Sequence, residues 1–137
     1  MLMGCDSLKM DYIPTPDQIH EHFSSFLIDP IKIEGVYGNY DVDSVLFTYT
    51  SKNNEPIKEL SKSLVSKQWI MHKSSRTEAI LYKTEKGLEV VKAGKGRSNL
   101  CIAWLQADGA NSINAQTSET KWAKKHFWPK YEKCKNT

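Results

Sequence analysis

The sequence lacks several features that would point directly to a function. None of its apolar runs approaches the roughly 20 residues that a membrane-spanning helix needs, so the chain is not expected to cross a bilayer. It has no G-x-S-x-G nucleophile elbow and no H-E-x-x-H metal motif. Residues 93–99, AGKGRSN, lack the spacing and the final Lys-Ser/Thr of a P-loop. We therefore predict a hairpin turn there, with Lys92, Lys95 and Arg97 in solvent, and a protein that is not an enzyme.

Potential metal ligands are also scarce, since the chain has only four histidines. His20 and His22 are two positions apart in a segment typical of a helix, so their side chains would point in nearly opposite directions and could not share a metal. His72 and His126 are isolated in the sequence and are better explained as partly exposed structural histidines. We predict neither a bound metal nor a cofactor.

What the sequence does contain is typical of one folded domain. A length of 137 residues, 39% apolar residues and 26% charged residues indicate a single globular core. The net charge of +3 is concentrated at one end. Residues 117–137 carry six lysines against two glutamates, whereas the rest of the chain has 13 basic and 14 acidic residues. The last segment is therefore the basic part of the molecule.

The hydrophobic pattern predicts the α+β class. Helices are expected from Thr15, from about Pro56, where Ile57, Leu60, Leu64 and Val65 form one apolar face, and from 117 to 126, with Pro129 bending or ending the last one. Strands are expected within 31–51 and at 69–73, 78–84, 88–93 and 99–107. Short turns between successive strands require antiparallel pairing, so we expect a single mainly antiparallel sheet of about five strands with two to three helices packed on it. The strand at 99–107 is apolar almost throughout, which indicates that both of its faces are covered.

The stretch LMGC at residues 2–5 resembles the lipobox of bacterial lipoproteins, in which a signal is cut before a cysteine that then receives acyl chains. Leu2, Gly4 and Cys5 carry the resemblance. It implies that Cys5 is lipidated, that residues 1–14 are residual signal and tether, and that residues 15–137 are the globular domain. Asp6 resembles the inner-membrane retention signal of many Gram-negative lipoproteins. The expected location is therefore the periplasm, with an anchor in the inner membrane.

The three cysteines fit this resemblance. If Cys5 carries the lipid, Cys101 and Cys134 remain as a pair that an oxidising periplasm would join. Such a disulfide would link the last helix to a core strand. The alternative is that Cys101 is a buried apolar side chain and Cys134 an exposed thiol.

The most distinctive stretch is KWAKKHFWPKYEKCK, residues 121–135, which interleaves lysines with aromatic residues. Three interpretations compete: a helix that packs its aromatics on the sheet, a surface for anionic lipid head groups, or a nucleic-acid contact. The packing interpretation is favoured because large aromatic side chains are costly to leave in water. The candidate contact residues of this basic aromatic segment are Lys121, Lys124, Lys125, Trp128 and Lys130.

These features favour a small periplasmic lipoprotein that binds a protein of the envelope or an incoming toxin, in an immunity-like or accessory role. The candidate partner surface is the loop that contains Tyr37, Tyr40, Asp41 and Asp43, since tyrosines are enriched in interfaces. Contact with the membrane would be through the lipid anchor, and no small-molecule substrate is evident. The alternative is a cytosolic domain with free thiols that binds nucleic acid through the basic aromatic segment.

Overall fold

The computed structural model describes residues 31–39, 42–49, 55–85, 87–96, 100–108 and 110–136. Three predicted features lie outside these residues: the lipidation site Cys5, the retention signal Asp6 and the helix expected from Thr15. Arg97 of the predicted turn also lies outside them. The description below concerns the sheet and the helices that pack on it.

The described residues form one six-stranded sheet. Its strands are β1 (Ile31–Asn39), β2 (Val42–Tyr49), β3 (Ile70–Ser74), β4 (Glu78–Lys83), β5 (Leu88–Lys95) and β6 (Leu100–Ala107). The spatial order is β1-β2-β6-β5-β4-β3, and every neighbouring pair is antiparallel. The predicted α+β class is confirmed. The expected number of about five strands is too low, because the described sheet has six.

One face of the sheet is covered by helix α1 (Pro56–Ser66). Proline suits the first turn of a helix, where its missing N–H would have no partner, and the apolar residues after it recur with helical spacing. Ile57, Leu60 and Leu64 are buried against the sheet as the sequence predicts. Val65 was expected on the same face, but it is 48% exposed because it lies at the margin of the apolar stripe.

The other face is covered by helices α2 (Ser118–His126) and α3 (Trp128–Lys135). The Thr117 side chain accepts a hydrogen bond from the backbone N–H of Thr120 and so caps α2. The predicted interruption at Pro129 is confirmed: α2 ends at His126, and Pro129 lies in the first turn of a new helix. The described residues therefore form three layers, with the sheet between α1 and the two C-terminal helices.

Strand β6 lies in the middle of the sheet and faces both helical layers, which explains its apolar sequence. Leu100 and Ile102 belong to the core under α1, whereas Cys101, Ala103 and Leu105 belong to the core under α2 and α3. This alternation is the one that the sequence predicts.

Candidate functional site

Helices α2 and α3 cover only part of their face of the sheet. The described residues leave the remaining part, over β3, β4 and β5, uncovered, and a cleft of about 490 Å³ lies there next to α2. We call it the lysine cleft. Residues from the sheet, from the 113–116 loop, from α2 and from the start of α3 line it, namely His72, Ile80, Leu88, Val90, Lys92, Leu105, Ile113, Asn114, Ala115, Gln116, Thr120, Lys121, Ala123, Lys124 and Trp128.

The floor of the lysine cleft is apolar because it belongs to the core under α2 and α3. Leu88, Val90 and Leu105 are almost fully buried, and Ile80 is half-buried beside them. Ile80, Val90 and Leu105 are close together because they come from the adjacent strands β4, β5 and β6 and point to the same side. Of these four residues, Ile80 keeps the accessible apolar surface that the apolar part of a ligand can contact.

Basic side chains surround this floor. Lys92 comes from β5, and Lys121 and Lys124 come from α2, where a spacing of three residues places them on one side of the helix. His72 adds a fourth ionisable group from β3. Among the described residues that line the cleft, none is an aspartate or a glutamate. The cleft is therefore a cationic site with an apolar base.

Lys92 is the most enclosed of these cations. Its Nζ lies 4.0 Å from the centre of the Trp128 ring, within the range of a cation–π interaction. Burial holds the pKa of Lys92 below its ordinary value, although Glu132 and Glu78 act in the opposite direction. The prediction that Lys92 lies in solvent at the tip of a turn is wrong. Strand β5 continues to Lys95, so Lys92 lies inside the strand and on the same side as Leu88 and Val90. Lys95 itself is exposed, as predicted.

Trp128 is held at the edge of the cleft because α3 is fixed firmly to the sheet. The key group is the Glu78 carboxylate on β4, whose Oε2 accepts hydrogen bonds from Tyr131 Oη at 2.8 Å and from Lys135 Nζ at 3.0 Å. Lys73 Nζ approaches Oε1 of the same carboxylate at 3.4 Å. Burial alone would raise the pKa of Glu78, but these three donors outweigh it and hold the pKa below its ordinary value. The carboxylate is therefore ionised at neutral pH.

Gly94 allows α3 to approach the sheet this closely. It lies between Glu78 and Cys101 in the register of β4, β5 and β6, directly beneath α3. A Cβ at position 94 would lie 2.6 Å from Lys135 Cδ and 2.7 Å from Tyr131 Oη. Any side chain at position 94 would therefore displace the side chains of Lys135 and Tyr131, which hold the Glu78 carboxylate.

The disulfide is the third attachment of α3. Cys101 on β6 and Cys134 on α3 are bonded, and their Cα atoms are 6.1 Å apart, within the usual range for a disulfide. The predicted pairing is confirmed, as is the expectation that it links the last helix to a core strand. Cys134 follows Tyr131 by three residues and precedes Lys135, so all three contacts come from one side of α3.

The residues of the basic aromatic segment lie in different environments in the structure. Phe127 and Tyr131 are fully buried, which supports the interpretation that its aromatics pack on the sheet. Lys121, Lys124 and Trp128 line the lysine cleft, whereas Lys125 and Lys130 are exposed elsewhere. Buried rings cannot stack on nucleic-acid bases, so the nucleic-acid interpretation loses two of its aromatic residues.

Of the residues predicted to form a partner surface, Tyr37 and Asp43 lie near the end of the β1–β2 hairpin at which the two strands are connected. Tyr37 is half-buried, packs on Phe127 with ring centres 5.8 Å apart, and has Lys130 Nζ 5.9 Å from its ring. Asp43 faces the opposite side of the sheet, because it alternates with Ser44, the partner of Tyr37 in the register. Tyr40 and Asp41 lie outside the described residues.

Two residues of the site were missed by the sequence analysis, Lys92 and Glu78. Strand alternation could have found both. Lys92 follows Leu88 and Val90 at intervals of two, and Glu78 precedes Ile80 and Tyr82 in the same way. Each was therefore predictable as a charged side chain on a face that is otherwise apolar.

The described residues contain no group of three or more side chains suited to hold a metal ion, and none of their helices is long and apolar enough to span a membrane. The lysine cleft brings together cations, amides and apolar side chains, which suits binding through charge and apolar contact. Comparison with protein-family models, with curated proteins and with solved structures finds no match to this chain.

Proposed function

We propose that this chain is a small bacterial lipoprotein whose globular domain acts in the periplasm as a non-catalytic binding domain. The observation that carries the proposal is the Cys101–Cys134 disulfide, because such bonds persist in oxidising compartments and are rare in the cytosol. The pairing leaves Cys5 as the remaining cysteine, at the position where the lipobox-like sequence requires an acylated residue. Asp6 favours retention at the inner membrane.

The partner that we propose is a protein of the envelope or an incoming toxin, in an accessory or immunity-like role. The contact surface is the end of the β1–β2 hairpin, with Tyr37, Tyr40, Asp41 and Asp43. Since β1 is the outermost of the described strands and Tyr37 and Asp43 face opposite sides, a partner that touches both has to reach around that side of the described sheet. Lys130, beside the Tyr37 ring, adds a positive charge on the Tyr37 side.

The anchor is tested by expressing the gene with its upstream reading frame and labelling cells with radioactive palmitate. We expect the label and membrane association to be lost in Cys5→Ser and kept in the matched variant Cys134→Ser. Asp6→Ser should move the labelled protein from the inner to the outer membrane. An unlabelled protein whose three thiols all react with an alkylating agent before reduction would refute the proposal.

The partner surface is tested separately by photo-crosslinking in intact cells. A benzoylphenylalanine residue is placed at position 37 or 40, and at Val65 as a control, because Val65 is exposed on α1. We expect one discrete adduct from positions 37 and 40 and none from position 65. The same pattern of adducts from all three positions would count against a partner at the hairpin.

A further inference from the structure

The lysine cleft has the dimensions and the chemistry of a small-molecule site. Its volume of about 490 Å³ lies within the roughly 300–1,000 Å³ of ordinary ligand pockets. It is concave and has a defined floor, so it suits one bound molecule rather than an extended surface. The hairpin surface at Tyr37 is formed by other residues, and the cleft does not depend on acylation of Cys5.

The charges in the cleft are unbalanced. Lys92, Lys121 and Lys124 form no ion pair with any described residue, whereas Lys135, on the neighbouring helix, is paired with Glu78 and Glu132. Glu78 and Glu132 influence Lys92 from outside the cleft, but they do not line it. Three cations that line one cleft, with no described acidic residue among the lining side chains, attract an anion.

The apolar floor indicates which chemistry the rest of the ligand should have. Half-buried Ile80 and Ile113 offer apolar surface beside the cations, and Leu88, Val90 and Leu105 lie almost fully buried beneath them. A small hydrophilic anion would leave the apolar surface in contact with water, and an uncharged apolar molecule would leave the lysines without an anionic partner. A molecule with both parts satisfies the floor and the cations together.

We propose that the lysine cleft binds one molecule of a single-chain amphipathic anion, with a carboxylate or phosphate head at the lysines and an apolar chain on the floor. Lys121 and Lys124 contact the head from α2, and Lys92 contacts it from β5. Trp128 packs against the stem of the ligand and keeps Lys92 directed towards the head. The ligand enters as a monomer from solution, because the binding surface is a concave cleft and not a flat face.

The test is calorimetric titration of the full chain with decanoate, with decan-1-ol and acetate as the two half-ligands. We expect one decanoate to bind per chain, decanol to bind at least tenfold more weakly, and acetate to show no saturable binding. Lys121→Gln/Lys124→Gln should weaken decanoate binding by roughly tenfold or more, because it removes both charge-assisted contacts that α2 makes with the head. The matched control is Lys62→Gln/Lys125→Gln, which removes the same charge from exposed lysines outside the cleft and should bind like the parent chain.

A substitution in the floor tests the apolar part of the site separately from the lysines. Ile80→Ser replaces a half-buried apolar side chain and should weaken decanoate binding while urea unfolding shows that the fold is kept. Equal binding of decanoate and decanol, or no effect of the Lys121/Lys124 variant, would overturn the proposal. So would the absence of decanoate binding, or binding to phosphatidylglycerol vesicles with no binding to decanoate monomers, which would indicate a membrane surface instead.

Discussion

The disulfide between β6 and α3 gives the sharpest prediction on stability. The two cysteines are separated by 33 residues, and the loop-entropy relation then gives about 3.7 kcal/mol of stabilisation at 25 °C. Reduction keeps both side chains in place, so it isolates this effect better than mutation does. We expect reduced protein to stay folded, because the Glu78 hydrogen bonds and the buried Phe127 and Tyr131 still hold the C-terminal helices.

The assay is urea unfolding with and without a thiol reductant, followed by tryptophan fluorescence. With an m-value of roughly 2 kcal/mol/M, a loss of about 3.7 kcal/mol lowers the urea midpoint by about 2 M. The control is Cys101→Ala/Cys134→Ala, in which the reductant should change nothing. An unchanged midpoint in the parent chain, with full reduction verified by alkylation and mass spectrometry, would refute the reasoning.

Three further predictions concern the contacts between α3 and the sheet. Tyr131→Phe should lower the free energy of unfolding by about 1–2 kcal/mol, because the buried hydroxyl that donates to Glu78 is lost; an unchanged urea midpoint would contradict this. The pKa of Glu78 is below its ordinary value of 4.5 in the folded protein. The ionised carboxylate therefore adds its full stabilisation above pH 4.5, and this stabilisation is lost as the pH falls through the folded-state pKa. The stability difference between the parent chain and Glu78→Gln should therefore be larger at pH 7 than at pH 3, and urea curves giving equal differences would refute it. Gly94→Ala should cost about 2–3 kcal/mol through overpacking against Lys135 and Tyr131, and less when combined with Tyr131→Phe, which removes one of the clashing atoms; purely additive losses would argue against a clash with the Tyr131 hydroxyl.

Local periodicity was sufficient to predict much of the fold. The apolar spacing of Ile57, Leu60 and Leu64 identified α1, and the alternation in β6 correctly predicted two buried faces. These signals succeed because each depends on neighbours within one or two turns of the chain. Helix α3 was not predicted, because Pro129 signals the end of one helix as strongly as the beginning of another.

The candidate site was less accessible from the sequence. Lysines 121 and 124 and Trp128 were singled out as a basic aromatic segment, but the cleft that they line depends on how far α2 extends over β4 and β5. That distance is a tertiary property, fixed in part by Gly94 and by the Glu78 carboxylate, which lie more than 20 residues away from α2 in the chain. Lys92 was misplaced because the glycines after it suggested a turn, whereas the strand continues through Gly94.

The absence of a side chain at Gly94 restricts how the sequence of this protein can change during evolution. The sheet tolerates only a hydrogen there while Tyr131 and Lys135 occupy the space above it. In homologous chains, a larger residue at 94 should appear together with smaller residues at 131 and 135, and the glutamate at 78 should then no longer be retained. Substitution patterns at these four positions are thus expected to change as one unit, although they are far apart in the primary structure.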